Sequence, residues 1–367
     1  MNKMIFANLV HRPVRSIISV VAIAVEVTLI LLIVGLSLGM LNDAKSRTVG
    51  IGADLMVQPP GSSNMMGISG APVPEKIADV LRKLDHVTVV SPVIWQLNTS
   101  GNVEVISGID YESYNALSPF KFLAGGPFEH PDDALVDDYF ATSNHIHVGD
   151  RIKILGPNEF RVSGIVLHGK GARKFLPIKT LQDLIGAQGK ASIFYVKLDN
   201  PANDGLVKKE INSLPGMAQY KVLSMAEYLS MMTPGNVPGL SQFITVVISV
   251  AVVIGFIVIF QSMYTAVMER TREIGILKSL GASKLYIVNV ILRETVVLAI
   301  GGIIVGIVLS VIARRGIHAK LPTLPIQIQP DWITYAILIA IGGALLGAVY
   351  PAFKAAQKDP IEALAYE

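Results

Sequence analysis

The sequence predicts an α-helical membrane protein with four transmembrane helices and an α+β extracytoplasmic domain inserted between the first and second. Three observations predict it. Hydrophobic residues make up 51% of the 367 and charged residues only 16%, against about 25% charged in soluble domains. Four runs are apolar over lengths that, at about 1.5 Å of helix per residue, cover a hydrocarbon core about 30 Å thick. Between the first two runs the chain reverts to short strand-like and helix-like stretches separated by turn residues, the pattern of an ordinary folded domain.

Residues 1–16 form a cytoplasmic N-terminal segment with Lys3, Arg12 and Arg15. The first span, 17–40, is too long for a signal-peptide core and reads as uncleaved. The extracytoplasmic domain occupies 41–240, with strand signals at His86–Val90, Asn102–Ile106, Arg151–Leu155, Phe160–Leu167, Ser192–Leu198 and Tyr220–Leu223. One helix is expected to open at Pro74 and bury Ile77, Val80, Leu81 and Leu84; another runs Leu206–Leu214 with Asp204 as N-cap. Ser224 and Glu227 have capping-box spacing before a third. The segment 59–72 is a Gly/Ser/Pro-rich loop in which Met65 and Met66 could form an adaptable apolar contact, a loose loop being the simpler reading. The second span is 243–268, a cytoplasmic loop 269–293, the third span 294–313, an outer loop 314–330, the fourth span 331–353 and a cytoplasmic tail 354–367.

Orientation follows from Lys and Arg in the short segments. Lys3, Arg12, Arg15, Arg270, Arg272, Lys278, Lys284, Arg293, Lys354 and Lys358 fall on one side, against Arg314, Arg315 and Lys320 on the other. Both termini are therefore expected inside and the large domain outside.

Several functional classes lose support. A net charge of +3 provides no phosphate-binding excess, so nucleic acid is not expected as a partner. The absence of cysteine removes disulfides, thiolate metal sites and thiol catalysis. HGKGAR at 168–173 and GAQGKAS at 186–192 lack the spacing of a phosphate loop, and no H-E-x-x-H occurs, so neither ATP binding nor catalysis is expected on this chain. His145 and His147, if on one strand face, could join His130 or His168 around a metal; unrelated surface histidines are the commoner explanation, and no metal site is assigned.

Two features within the spans call for neighbours. Glu26 is an intramembrane carboxylate that should face protein or water; it is either a contact for lipid, a proton or a partner subunit, or a packing residue. Gly302 with Gly306, and Gly343 with Gly347, each spell G-x-x-x-G and allow close helix approach, more simply within one chain than across a dimer.

The stretch ERTREIGILKSLGAS, 269–283, reads as a helix leaving the membrane, with Glu269 and Arg272 one turn apart and Ile274, Leu277 and Leu280 as an apolar stripe. Gly281 breaks it and Ser283 caps the helix that returns. Such an amphipathic elbow suits docking into a partner's groove. Here the chain resembles the MacB/FtsX-like permease family of type VII ABC systems. NLVHRPVRSIISVVAIAVEV at 8–27, SGIDYESY at 107–114, DDALVDDYFA at 132–141, VGDRIKIL at 148–155 and YPAFKAAQKDPIEALAYE at 350–367 are similar to it, the tail through Pro351, Ala355, Ala356, Asp359, Pro360, Glu362 and Ala363. Glu26 departs from the small or apolar residue that related sequences tend to carry.

The resemblance implies a permease in the bacterial cytoplasmic (inner) membrane, paired with a second permease, most simply a homodimer, above two copies of an ABC ATPase that carries the ATP and Mg. Glu269, Arg272, Glu273, Gly275, Lys278, Gly281 and Ala282 would form the coupling elbow. The expected outcome is movement of the outer domain and export or extraction of an amphiphilic substrate, with a periplasmic adaptor protein and membrane lipid as further partners. An FtsX-like signalling module acting on a cell-wall hydrolase is the alternative, and a membrane receptor without an ATPase a third.

Overall fold

The computed structural model describes residues 13–62, 71–98 and 104–358. Lys3, Arg12, Met65, Met66, Asn102, Asp359, Pro360, Glu362 and Ala363 lie outside the described residues. In chain order the first elements are α1 (Pro13–Gly50), β1 (Leu55–Gln58), β2 (Val73–Pro74), α2 (Ile77–Leu81), β3 (Val87–Asn98), β4 (Glu104–Ile109), α3 (Tyr111–Leu117), β5 (Phe122–Gly125), β6 (Asp133–Asp137) and α4 (Asp138–Asn144). There follow β7 (Arg151–Lys153), β8 (Glu159–Val166), β9 (Lys174–Pro177), α5 (Ile178–Ile185), β10 (Lys190–Ala191), β11 (Ile193–Leu198), α6 (Asp204–Ser213), β12 (Lys221–Ser224) and α7 (Met225–Met231). The chain then runs through α8 (Leu240–Glu269), α9 (Thr271–Ser279), α10 (Lys284–Lys320) and α11 (Pro330–Gln357). The elements separate into two compact units, Met40–Pro238 with Lys320–Pro325, and the remaining helical segments.

In the α+β unit a mixed sheet runs in the order β12–β1–β11–β3–β4–β9–β6–β8–β5, with β7 on β8. Both faces of its centre are covered, which is why β1 and β11 read as nearly continuous apolar runs. Met56, Ile193 and Tyr195 pack on one face with Tyr114 and Phe175; Leu55, Val57, Phe194 and Val196 pack on the other with Leu81, Val207 and Ile211. Residues 40–50 of α1 belong to this unit. The amide of Gly171 donates to the Arg47 carbonyl at 2.8 Å. A Cβ at Gly50 would lie 1.7 Å from the Gly169 carbonyl oxygen, so only glycine permits that approach. Arg173 reaches Asp43 at 3.1 Å and Asp137 at 3.3 Å.

Several local expectations are corrected. Pro74 lies in β2 instead of opening a helix, and Val80 faces solvent because α2 is only long enough to bury Ala78 and Leu81. Asp204 sits inside the first turn of α6, a 3-10 turn at Pro201–Asn203 having taken up the entry. His145 and His147 do not share a strand face. Asp137 caps α4 by accepting from the Phe140 amide, and His145 ends that helix in the left-handed region at φ 55°. His147 stands in the following turn, its amide donating to Asp150. His168 is held by Asp138 at 3.0 Å and stacks on Tyr139, while His130 contacts Arg161. Among the described residues no group of three or more could hold a metal ion. The capping box at Ser224 and Glu227 forms in full.

The helical unit contains four helices long and apolar enough to cross a membrane. Its interior combines large aliphatic side chains with a face of small residues on α11. Ala336, Ala340, Ala344, Ala348, Ala352 and Ala355 form a buried stripe on α11, while Val246, Val250, Ile254 and Ile257 of α8 point outward. This inversion suits a lipid solvent, in which large apolar side chains cost nothing outside and small ones let backbones approach. Gly302 and Gly306 bring α10 onto α1: a Cβ at Gly302 would lie 2.6 Å from that of Ile23, and one at Gly306 2.8 Å from the Ala24 carbonyl oxygen. Gly347 brings α11 onto α8, 2.9 Å from the Phe256 carbonyl oxygen by the same measure. Within α1, residues 35–39 spell G-x-S-x-G, but Ser37 is helical and donates to the Ile33 carbonyl, with none of the geometry of a nucleophile elbow.

Two predictions follow from this packing. Gly302→Ala should destabilise the solubilised full chain by about 1–3 kcal/mol through overpacking against Ile23, read by thermal unfolding in mild detergent, whereas Ala at the open Gly205 should not lower it comparably. Lys170, 6% exposed, has an amine without a hydrogen-bond partner that lies 4.0 Å from the centre of the Phe120 ring. Burial pushes that amine down to about 8. From about pH 8 to the ordinary lysine range the unfolded chain holds a proton the folded one lacks, so stability should rise with pH by about 3 kcal/mol. Lys170→Met should flatten that rise.

Candidate coupling site

The elbow begins where α8 ends. Arg270 leaves the helix to reach inward, and Thr271, buried, donates its hydroxyl to the Val267 and Met268 carbonyls left open at the helix end. α8 and α9 are therefore two helices and not one continuous run. The break puts Glu269 and Arg272 on different elements, and Glu269 pairs with Arg15 at 3.4 Å. α9 buries Ile274 and Gly275 against the bundle. Gly281, at φ 93°, supplies the left-handed turn, and the amide of Ala282 donates to the Leu277 carbonyl. Ser283 accepts from the Tyr286 amide at 3.2 Å and caps α10.

The base of the elbow is a knot of charges from three helices. Glu294 of α10, 3% exposed, lies 3.0 Å from Arg270 and 3.3 Å from Arg15 of α1. With Glu269 the set holds two guanidiniums and two carboxylates. A small cavity of about 50 Å³ lies beneath, lined by Arg270, Glu273, Ile274 and Leu277 of the elbow together with Glu294. At its far end Lys278 donates to the carbonyl of Ala356, at 3.0 Å, and to that of Lys358, closing the C-terminus of α11 with a positive charge. Between α1 and α8 runs a groove of about 720 Å³, apolar apart from Arg15, Gln261, Ser262, Thr265 and Glu269.

The residues expected to form one contact surface therefore divide. Arg272, Glu273 and Gly281 are exposed, Ala282 is half-buried and Gly275 is buried. Glu269, itself exposed, pairs with Arg15, and Lys278, half-buried, ties the elbow to the end of α11. Leu280 departs from the face on which Ile274 is buried: it is 81% exposed and, with Leu285 at 77%, forms an apolar tip, with Ile276 and Tyr286 also exposed. Sequence reasoning missed Glu294 and the partnership of Arg15 with it, because Arg15 was read only as a topology charge. The available signal was a carboxylate at the very start of an apolar run.

Glu26 lies apart from the elbow. It is 4% exposed, and its Oε1 has no hydrogen-bond partner. A Cβ at Gly255 would lie 2.1 Å from its Oε2, so that glycine on α8 leaves the space that the carboxyl fills, while one at Gly343 of α11 would lie in ordinary contact, 3.9 Å from its Oε1.

Replacing Glu294 by Gln strands two half-neutralised guanidiniums in a desolvated site, and breaking a buried ion pair from one side costs about 3–5 kcal/mol. Thermal unfolding of the solubilised chain should show a loss of that order for Glu294→Gln, and a smaller one, about 1 kcal/mol, for Lys278→Met.

Comparison with known proteins follows the same division of the chain. The MacB-like periplasmic core domain matches residues 16–214, and the FtsX-like permease C-terminal region matches residues 245–360. An uncharacterized ABC transporter permease of Methanocaldococcus jannaschii is 24% identical over 98% of this chain and 96% of its own length. The uncharacterized ABC transporter permease YvrN of Bacillus subtilis is 24% identical over 99% of this chain and 98% of its own. The macrolide export ATP-binding/permease protein MacB of Bdellovibrio bacteriovorus is 26% identical over 99% of this chain, which spans 61% of that protein.

Proposed function

The chain belongs to the ABC transporter permease family of MacB/FtsX type, and on that premise we propose that it is the permease subunit through which a separate ATPase moves an extracytoplasmic domain. The observation that carries this reading is the apolar tip formed by Leu280 and Leu285, left exposed on an elbow whose base is otherwise fastened by Glu294, Thr271 and Lys278. Two large aliphatic side chains held in water on a braced turn are costly unless a partner covers them.

In this proposal the four long helices cross the cytoplasmic membrane with both termini inside, consistent with the excess of Lys and Arg around the elbow and beyond α11. Two ATPase copies, holding ATP and Mg, seat the tips of two permeases, most simply a homodimer. Arg272 and Glu273 flank the tip and set its register by charge. Closure of the ATPases pushes α9, and the push passes into α1 and α10 through Glu294. The outer domain receives it through α1, the helix that it shares with the bundle, and an amphiphilic substrate such as a lipid, lipoprotein, peptide or drug is exported or extracted, with a periplasmic adaptor as a further partner.

Leu280→Asp with Leu285→Asp should abolish co-purification of an ATP-hydrolysing subunit in mild detergent while leaving the thermal stability of the permease unchanged. Retention of that subunit by the double variant would refute the docking surface. Labelling of residues 269–283 from the same membrane face as residues 41–240 would refute the topology.

A further inference from the structure

Glu26 lies within the first span of α1, and among the described residues no side chain pairs with its carboxyl. It packs against Gly255 of α8 and lies near Gly343 of α11, and the stretches 17–40, 243–268, 295–313 and 332–353 contain no Lys, Arg or His. The nearest charges along each helix lie at the ends: Arg15 and Asp43 on α1, Glu269 on α8, Glu294 and Arg314 on α10, Asp331 and Lys354 on α11. At about 1.5 Å per residue, Arg15 is about 16 Å along the helix from Glu26. Its guanidinium is in any case engaged by Glu294 and Glu269.

The site is nevertheless shaped for the group. Gly255 leaves room for the carboxyl head, which lies between α1, α8 and α11, and a methyl group at Gly255 would overlap it. An ionised carboxylate in hydrocarbon, without counter-ion or hydrogen-bond donor, is far more costly than the neutral acid. One ligand removes that charge without needing more space. We propose that Glu26 is a proton-binding site at the centre of the bundle, and that the packing of α1 against α8 and α11 depends on the bound proton.

The inference rests on the membrane-spanning reading of the four helices and not on the identity of any ATPase. Deprotonation leaves a charge that can be solvated only if α1 separates from its neighbours or water enters between them. Proton occupancy thus becomes a term in the equilibrium between closed and parted helices, whatever drives them apart.

The full chain in phosphatidylcholine vesicles provides the test, by infrared difference spectroscopy of wild type against Glu26→Gln. At neutral pH the wild type should show the carbonyl band of a protonated carboxylic acid, lost in the variant. A difference at neutral pH confined to the carboxylate stretching bands would overturn the proposal. Thermal unfolding supplies an independent reading: Glu26→Gln, a neutral isostere, should unfold with the wild type at neutral pH and above it under alkaline conditions, where the wild type sheds its proton. Parallel pH profiles for the two proteins would also overturn it. Sidedness labelling of the elbow separates this outcome from failure of the topology itself.

Discussion

Glu294 joins three helices that elsewhere meet through apolar contacts, two hydroxyl hydrogen bonds and the Arg15–Glu269 pair. Its carboxylate lies between Arg15 of α1 and Arg270 at the break between α8 and α9, at the rim of the bundle. A buried pair of this kind contributes little net stability compared with a well-packed apolar alternative, but it fixes geometry, because any rearrangement that parts the charges leaves one of them desolvated. The elbow inherits that constraint. Arg270 must leave the helical path to reach Glu294, which ends α8; the carbonyls exposed by that ending are taken up by Thr271, and the turn that follows starts α9. Lys278 secures the other end on α11. What is left over is the turn at 280–285, and it is there that the apolar side chains face outward.

The rest of the bundle follows a different rule, set by solvent. Between helices in lipid there is little hydrophobic driving force, so close backbone approach has to supply the attraction. Gly302 and Gly306 seat α10 on α1, and Gly347 with the alanine stripe of α11 seats that helix on α8. Hydroxyls add local ties, Ser19 to Ser262 at 2.6 Å and Thr28 to the Gly306 carbonyl at 3.1 Å. Glu26 is the exception to this economy of small and weakly polar groups, and its slot shows that the exception is accommodated and not merely tolerated.

How much of this was legible in the sequence depended on whether the cause was local. Apolar runs, the capping box at Ser224, the turn at Gly281 and the cap at Ser283 are properties of a few consecutive residues, and the structure carries each of them. The strands β1, β6 and β9 went unread because they are short and buried on both faces, which erases the alternation that marks a half-buried strand. Leu280 was grouped with Ile274 and Leu277 in one apolar stripe because helical periodicity was extended past the residue at which α9 ends. The partners of Glu294 could not be found by any window: Arg15 is 279 residues away in sequence. Gly255 is a lone glycine in an apolar run, and only the packing shows that it faces a carboxyl.

The same device recurs in the α+β unit, and α1 takes part in both instances. Near the start of α1, Arg15 joins Arg270, Glu269 and Glu294 in a balanced set of four charges. Near its end, Asp43 and Arg47 join Arg173 and Asp137, again two of each sign, with burial pushing the Asp137 carboxyl up to about 6 while Arg173 pulls it back. Paired charges in partly desolvated sites resist sliding, since a displacement that parts them exposes each to a medium that cannot solvate it. Among the described residues, the middle of α1, where Glu26 lies, takes part in none of these ion pairs.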